Sequence, residues 1–162
     1  MSIGQRLLRN EDPRLLRGQG LFVDDVRHPD MLHGAVVRSP HAHARIRQID
    51  VSKAAALPGV ELVLLAEDLG KLNGPLPLLI PHDDLQYGRT QSALAQGKVR
   101  HIGEAVAFVV ARDRYIAEDA ADLVEVAYEP LPVAADLEAA ARPGAPRVHD
   151  DTPDNIGGHY VR

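Results

Sequence analysis

The sequence predicts a small mixed α/β domain of the α+β class, with its core between about residues 32 and 131. Three observations predict it. Short aliphatic runs, some continuous like buried parallel strands and some alternating like edge strands, sit between alanine-rich stretches of helical spacing. Hydrophobic residues make up 45% and charged residues 25%, which is ordinary globular usage and excludes wholesale disorder. A chain of 162 residues is long enough for one real core.

In chain order, residues 1–30 read as an irregular arm, because Pro13, Gly18, Gly20 and the Val23-Asp24-Asp25 run break any period. Residues 32–39 form a strand around Val36 and Val37, closed by Ser39-Pro40, and a second strand follows over 44–51. Ser52 is placed to cap a short helix that Pro58-Gly59 ends. The apolar run 60–65 is a buried strand, and 67–69 one helical turn. Residues 70–96, with Gly74, Pro75, Pro77, Pro81 and Gly88, are a long loop of the kind that serves function or packs on a partner. Two strands, 98–102 and 105–111, are separated by Gly103-Glu104. Asp113 caps a helix to about residue 123, with Ile116, Ala120, Leu123 and Val124 on one face. A strand over 124–129, a short helix over 136–141 and an extended tail over 143–162 complete the chain.

Charge and composition exclude several functions. The net charge of −5 is uneven: residues 1–47 carry eight Arg against five acids, whereas 113–154 carry three Arg against eleven. The acidic second half opposes polyanion binding, so no nucleic acid is expected. With no Cys, the chain holds no disulfide, thiolate nucleophile, zinc ribbon or iron–sulfur cluster of its own. No apolar stretch reaches the roughly 18 residues of a membrane span, and the charged start lacks a signal-peptide apolar region. A soluble, cytoplasmic protein is the expectation.

No complete catalytic site emerges. Gly18-Gln19-Gly20 lacks the third glycine and the following helix of a dinucleotide loop, and no GxxxxGK occurs. His41-Ala42-His43 would place two imidazoles on one side of a strand, but a third ligand is missing, with His33 and Asp50 only distant additions. A structural, hydrogen-bonded histidine pair is the better account. Ser39 and Ser52 lack a nucleophile elbow, and Asp83-Asp84 and Asp150-Asp151 read as solvated loop charge. A competing class is a free-standing small-ligand-binding module, or a lipoyl- or biotin-carrier-like module using Lys53 in Val51-Ser52-Lys53-Ala54.

Several segments together resemble a known family. Residues 9–16 (RNEDPRLL) with Gly18 and Phe22-Val23-Asp24-Asp25 are similar to the opening of molybdenum-hydroxylase large subunits, the aldehyde oxidase, xanthine dehydrogenase and aerobic carbon monoxide dehydrogenase group. The similarity continues through Met31-Leu32-His33-Gly34, the segment 38–46 (RSPHAHARI), Leu57-Pro58-Gly59-Val60, Gly103-Glu104-Ala105-Val106-Ala107, residues 117–121 (AEDAA) and 128–132 (YEPLP). The resemblance implies an N-terminal α/β hammerhead domain, one part of an oxidoreductase that acts on aldehydes, N-heterocycles or carbon monoxide.

It further implies 1–30 as an N-terminal arm, 31–132 as the hammerhead domain, and 133–162 as a C-terminal helix and tail leading towards molybdopterin-binding domains. Those later domains carry the family's pterin contacts and catalytic glutamate; none of these motifs occurs here, so no catalytic, cofactor-binding or metal residue transfers. A truncated form or a split subunit with a structural, assembly role is expected. The assembled enzyme would contain the molybdopterin cofactor, iron–sulfur clusters and FAD, and the partners would be molybdopterin-binding domains or subunit, an iron–sulfur subunit and a FAD subunit. Arg38, His41, His43, Arg45, Gly103 and Glu104 are the expected structural and inter-domain anchors. Leu15, Leu16, Leu21 and Phe22 in the arm and Leu76, Leu78, Leu79 and Ile80 in the loop are expected to pack on those partners.

Overall fold

The computed structural model describes Gly4 and residues 9–159; the first residues of the arm and the last three of the tail lie outside the described residues. The chain divides into two compact units, 1–31 and 32–162. In the first, helix α1 (Asp12–Leu15) has Pro13 in its opening turn, where the fixed φ of proline suits a helix. A 3-10 turn, Val23–Asp25, is held by the Asp25 carboxylate, which accepts the Phe22 N–H at 3.0 Å.

The second unit contains two three-stranded sheets. One has the order β1 (His33–Arg38), β5 (Ala105–Ala111), β3 (Val60–Leu64); the other β4 (Lys98–Val99), β2 (Ala44–Asp50), β6 (Glu125–Pro130). Every pairing is antiparallel. The continuous apolar run at 105–111 therefore does not reflect a parallel neighbour. β5 is the central strand of its sheet and is covered on both faces: Val106 joins one core cluster and Val109 the other.

The first cluster, Ala44, Ala95, Val99 and Val106 with Val37, Ile46, Val126 and Tyr128, joins the two sheets. The second, Ala54, Val109 and Ala120 with Leu57, Val60, Val63 and Leu123, lies between β1-β5-β3 and two helices, α2 (Ser52–Ala55) and α4 (Arg114–Asp122). Helix α4 starts as expected, with the Asp113 carboxylate accepting the Tyr115 N–H at 2.8 Å. The start of α2 differs. Ser52 is its first residue, and the Asp50 carboxylate, not the Ser52 hydroxyl, takes an end N–H, that of Ser52 at 2.9 Å. Two one-turn helices complete the set: α3 (Ala66–Leu69), whose Asp68 carboxylate accepts Leu65 N–H at 2.7 Å, and α5 (Leu137–Ala140), where Asp136 accepts Ala139 N–H at 2.7 Å.

One further expectation is corrected. The strand expected over 98–102 is only Lys98–Val99: the Arg100 N–H goes to the Glu104 carboxylate instead of a neighbouring strand, and Gly103 takes a φ of +82° in the turn that follows. Although consecutive in sequence, β1 and β2 lie in different sheets. Among the described residues, no helix is long and apolar enough to cross a membrane.

Candidate functional site

The segment 38–45 links the sheets, and its polar groups are spent on that junction. Ser39 is 2% exposed; its N–H donates to Glu104 O at 2.9 Å and its C=O accepts from Gly103 N–H at 2.8 Å. The Ser39 hydroxyl accepts the His41 N–H at 3.0 Å and lies 3.1 Å from the His41 C=O, closing a tight turn before β2. Arg38 donates through Nη1 to Gly103 O at 2.9 Å. Thus Arg38, Ser39, Gly103 and Glu104, distant in sequence, form one corner. The Glu104 carboxylate adds an acceptor for the Arg100 N–H.

The two histidines separate. His43 is buried, with Nδ1 2.7 Å from Pro132 O, while Leu131 N–H donates to His43 O at 2.9 Å, so the histidine is bracketed by the 128–132 segment. The His41 ring packs against Tyr128 at 4.8 Å between centroids. Burial pushes the Tyr128 phenol above its ordinary value, with the Ser39 hydroxyl a smaller opposing influence. Neither histidine lies on a strand, since β2 begins at Ala44. Arg45 is exposed at the start of β2, and its neighbour Arg47 pairs with Glu129 on β6. Among the described residues, no three His, Asp or Glu side chains converge where a metal ion could sit. Lys53 lies on α2, not at a hairpin tip, and its ammonium is paired with the Glu125 carboxylate, which raises its pKa.

A second polar assembly escaped the sequence reading. The tail does not extend freely. Asp150 takes Lys98 Nζ on both oxygens, at 2.8 and 2.9 Å, although Lys98 is 6% exposed; Asp151 pairs with Arg89; and Gly157 O accepts Tyr87 N–H at 3.0 Å. Leu85 and Gly158 form a β-bridge. Asn155 closes the tail on itself: its Oδ1 accepts Val148 N–H, and its Nδ2 donates to Ala140 O and Pro146 O. The loop expected over 70–96 is thus strapped by residues 148–158. The adjacent Asp150-Asp151 pair, expected to be solvated charge, supplies the strap's two anchors. Leu72, Leu79 and Ile80 nevertheless stand 84%, 98% and 80% exposed.

These features can be set beside known proteins. Over 161 residues the chain is 50% identical to the carbon monoxide dehydrogenase large chain of Afipia carboxidovorans, covering 99% of this chain and 19% of that one. It is 39% identical over 155 residues to the nicotine 6-hydroxylase large subunit of Paenarthrobacter nicotinovorans, covering 96% of this chain and 19% of the relative. Among solved structures, quinoline 2-oxidoreductase from Pseudomonas putida superposes with a TM-score of 0.84 at 45% identity, over 96% of this chain and 19% of that one. The chain thus spans about one fifth of the length of these relatives. A family profile described as "Aldehyde oxidase and xanthine dehydrogenase, a/b hammerhead domain" matches residues 17–132, and the chain belongs to that family.

Proposed function

We propose that this chain is the hammerhead part of the large subunit of a molybdenum-dependent oxidoreductase, with an assembly role and no complete catalytic site of its own. The observation that carries the reading is the share of length: relatives aligned over nearly the whole of this chain have about four fifths of their own length outside the match. One relative, from Eubacterium barkeri, is named as a large molybdopterin subunit. The molybdopterin cofactor would be held by the remaining domains or by a separate subunit, with iron–sulfur and FAD subunits completing a cytoplasmic electron path. In this reading residues 31–132 are the hammerhead domain, the arm 1–30 and the segment 133–162 flank it, and 133–162 leads towards the pterin-binding part. Arg38, His41, His43, Arg45, Gly103 and Glu104 hold the inter-sheet corner in the shape that the neighbouring domains meet.

The exposure of Leu72, Leu79 and Ile80 supports a covering partner, because burying three such side chains stabilises by roughly 5–9 kcal/mol before ordering costs. Co-expression with the pterin-binding domains of a homologous large subunit tests this. The two should co-purify, and the double variant L79D/I80D should weaken the complex at least about tenfold. Molybdenum and flavin should remain with the partners. Stoichiometric molybdenum in the purified chain, or its clean separation from those domains, would overturn the proposal.

A further inference from the structure

Gly74 has no conformational reason to be a glycine. Its φ of −62° and ψ of 163° are ordinary extended angles, and a Cβ built on it would meet only Lys71 O, at 3.4 Å. What the missing side chain does is leave the Gly74 nitrogen unshielded directly after an asparagine. Of the chain's three asparagines, at 10, 73 and 155, only Asn73 precedes glycine; Asn155 precedes the branched Ile156. In an Asn-Gly pair the backbone nitrogen can close a succinimide ring on the carbon of the side-chain amide.

The fold holds this pair in an unreactive arrangement. Asn73 ends the 3-10 turn Gly70–Asn73, so the peptide joining it to Gly74 must rotate out of helical angles before its nitrogen reaches Asn73 Cγ. The Gly74 N–H is engaged as well, donating to Lys71 O at 3.3 Å. The side-chain amide is buried and fixed at both ends, Nδ2 donating to Leu94 O and Oδ1 accepting the Leu94 N–H. A neighbouring rung, Leu76 N–H to Gln91 O at 3.1 Å and the Thr90 hydroxyl to Leu76 O, continues the closure of the loop.

We propose that Asn73-Gly74 is a self-modification site gated by the mouth of the long loop: closed, the amide survives; open, it deamidates, and the product cannot close again. The Gly74 nitrogen gives its proton to solvent base and bonds to Asn73 Cγ, while the Cγ–Nδ2 bond breaks and Nδ2 leaves as ammonia. Water then opens the succinimide at either carbonyl, leaving aspartate or isoaspartate. No oxidant or reductant is required. Either product lacks the Nδ2–H donor that Leu94 O requires and carries a new negative charge, so the rung is not remade. A transient opening of the loop is thereby made permanent.

The test follows the tryptic peptide 72–89 of the 162-residue chain by mass spectrometry during incubation in mildly alkaline buffer, native and in urea. Asn73 should convert at least about tenfold more slowly in the native chain, where the reaction waits on local opening. Thr90→Ala, which removes the hydroxyl of the neighbouring rung, should raise the native rate about 2–10-fold and leave the urea rate unchanged. Gly74→Ala should slow conversion in urea at least about fivefold while the native β5 amides stay protected, since the added methyl fits. In chain converted at Asn73, the Leu94 amide should exchange as fast as it does in Asn73→Asp. Equal rates native and in urea with β5 protected, a native rate unmoved by Thr90→Ala, conversion in urea no faster at Asn73 than at Asn155, or full protection of the Leu94 amide after conversion would each overturn the proposal.

Discussion

Asn73 closes the long loop, and its removal offers a sharp test of how that loop is held. The residue lies at the end of the 3-10 turn Gly70–Asn73 and is 8% exposed; its partner Leu94, twenty-one positions later, is 4% exposed. Asn73 Nδ2 donates to Leu94 O at 3.0 Å, and Leu94 N–H donates to Asn73 Oδ1 at 2.9 Å. The amide thereby imitates one rung of a β-ladder across the mouth of the loop. The next residue, Ala95, donates to Ala105 O at 2.7 Å and enters the cluster with Ala44, Val99 and Val106.

Asn73→Ala would strand both a buried N–H and a buried C=O. At about 1–3 kcal/mol for each unsatisfied group, with partial rescue by water, a loss of about 2–4 kcal/mol is expected. For a chain of this size that corresponds to a fall in Tm of roughly 6–12 °C. Asn73→Asp keeps an acceptor for the Leu94 N–H but sets a carboxylate against the Leu94 carbonyl, so it should be no less damaging. Urea unfolding gives the free energy, and hydrogen exchange at the Leu94 amide locates it. If Asn73→Ala costs under about 0.5 kcal/mol and the Leu94 amide stays protected, the loop is held by something other than this pair.

Three further outcomes follow from the strap. At Gly158 an added Cβ would lie 2.3 Å from Asp84 O and 3.1 Å from Leu85 Cα, so Gly158→Ala should break the Leu85–Gly158 bridge, cost about 1–3 kcal/mol and accelerate exchange at Tyr87 N–H. Asp150→Asn leaves the Lys98 ammonium, 7% exposed at its side chain, without a counter-charge, whereas Lys98→Met removes the charge itself; Asp150→Asn should be the more destabilising, and the reverse order in urea unfolding would contradict the assigned pairing. Acid should loosen the strap before the sheets. Lys98 holds the Asp150 carboxyl, and Arg89 the Asp151 carboxyl, below the usual carboxylate range, and burial holds His149 below its own. Each group binds fewer protons folded than unfolded, so stability rises with pH: the His149 contribution is complete above about pH 6.5 and the aspartate contributions above about pH 4, and each fades as pH falls. Exchange at residues 148–158 measured from about pH 7.5 down to about pH 3 should rise ahead of that in β5; parallel behaviour would count against it.

Local signals made most of the fold legible. Asp113 before a helical stripe, the valine pair before Ser39-Pro40 and the alternation at Val126 and Tyr128 each declare an element through nearest neighbours, and each element is present. What sequence could not give is pairing. A run such as 105–111 reads alike whether its neighbours are parallel or antiparallel, because the pattern reports burial on both faces and nothing about strand direction. The inter-sheet corner was half legible. The 38–46 and 128–132 segments are distinctive in sequence, and the structure joins them through His43 and Leu131; the residues favour a structural histidine pair over metal ligation, but nothing local says which segment that pair meets. Asn73 and Lys98 carried no signal of their pairing. Each acts through a partner distant in sequence, and no periodicity marks such a residue.

The two sheets explain why polar residues cluster at 38–45 and 100–104. Successive strands alternate between the two sheets, and two of the crossings are those after Arg38 and after Val99. At each crossing the ladder ends, and its backbone groups need other partners. The structure lets the two crossings satisfy one another: Ser39 N–H takes Glu104 O, Gly103 N–H takes Ser39 O, and the Arg38 guanidinium takes Gly103 O. Only a short hydroxyl residue can close the turn at 39 while remaining buried, and only glycine adopts the φ of +82° at 103 without strain. The corner is therefore a structural requirement of a two-sheet fold.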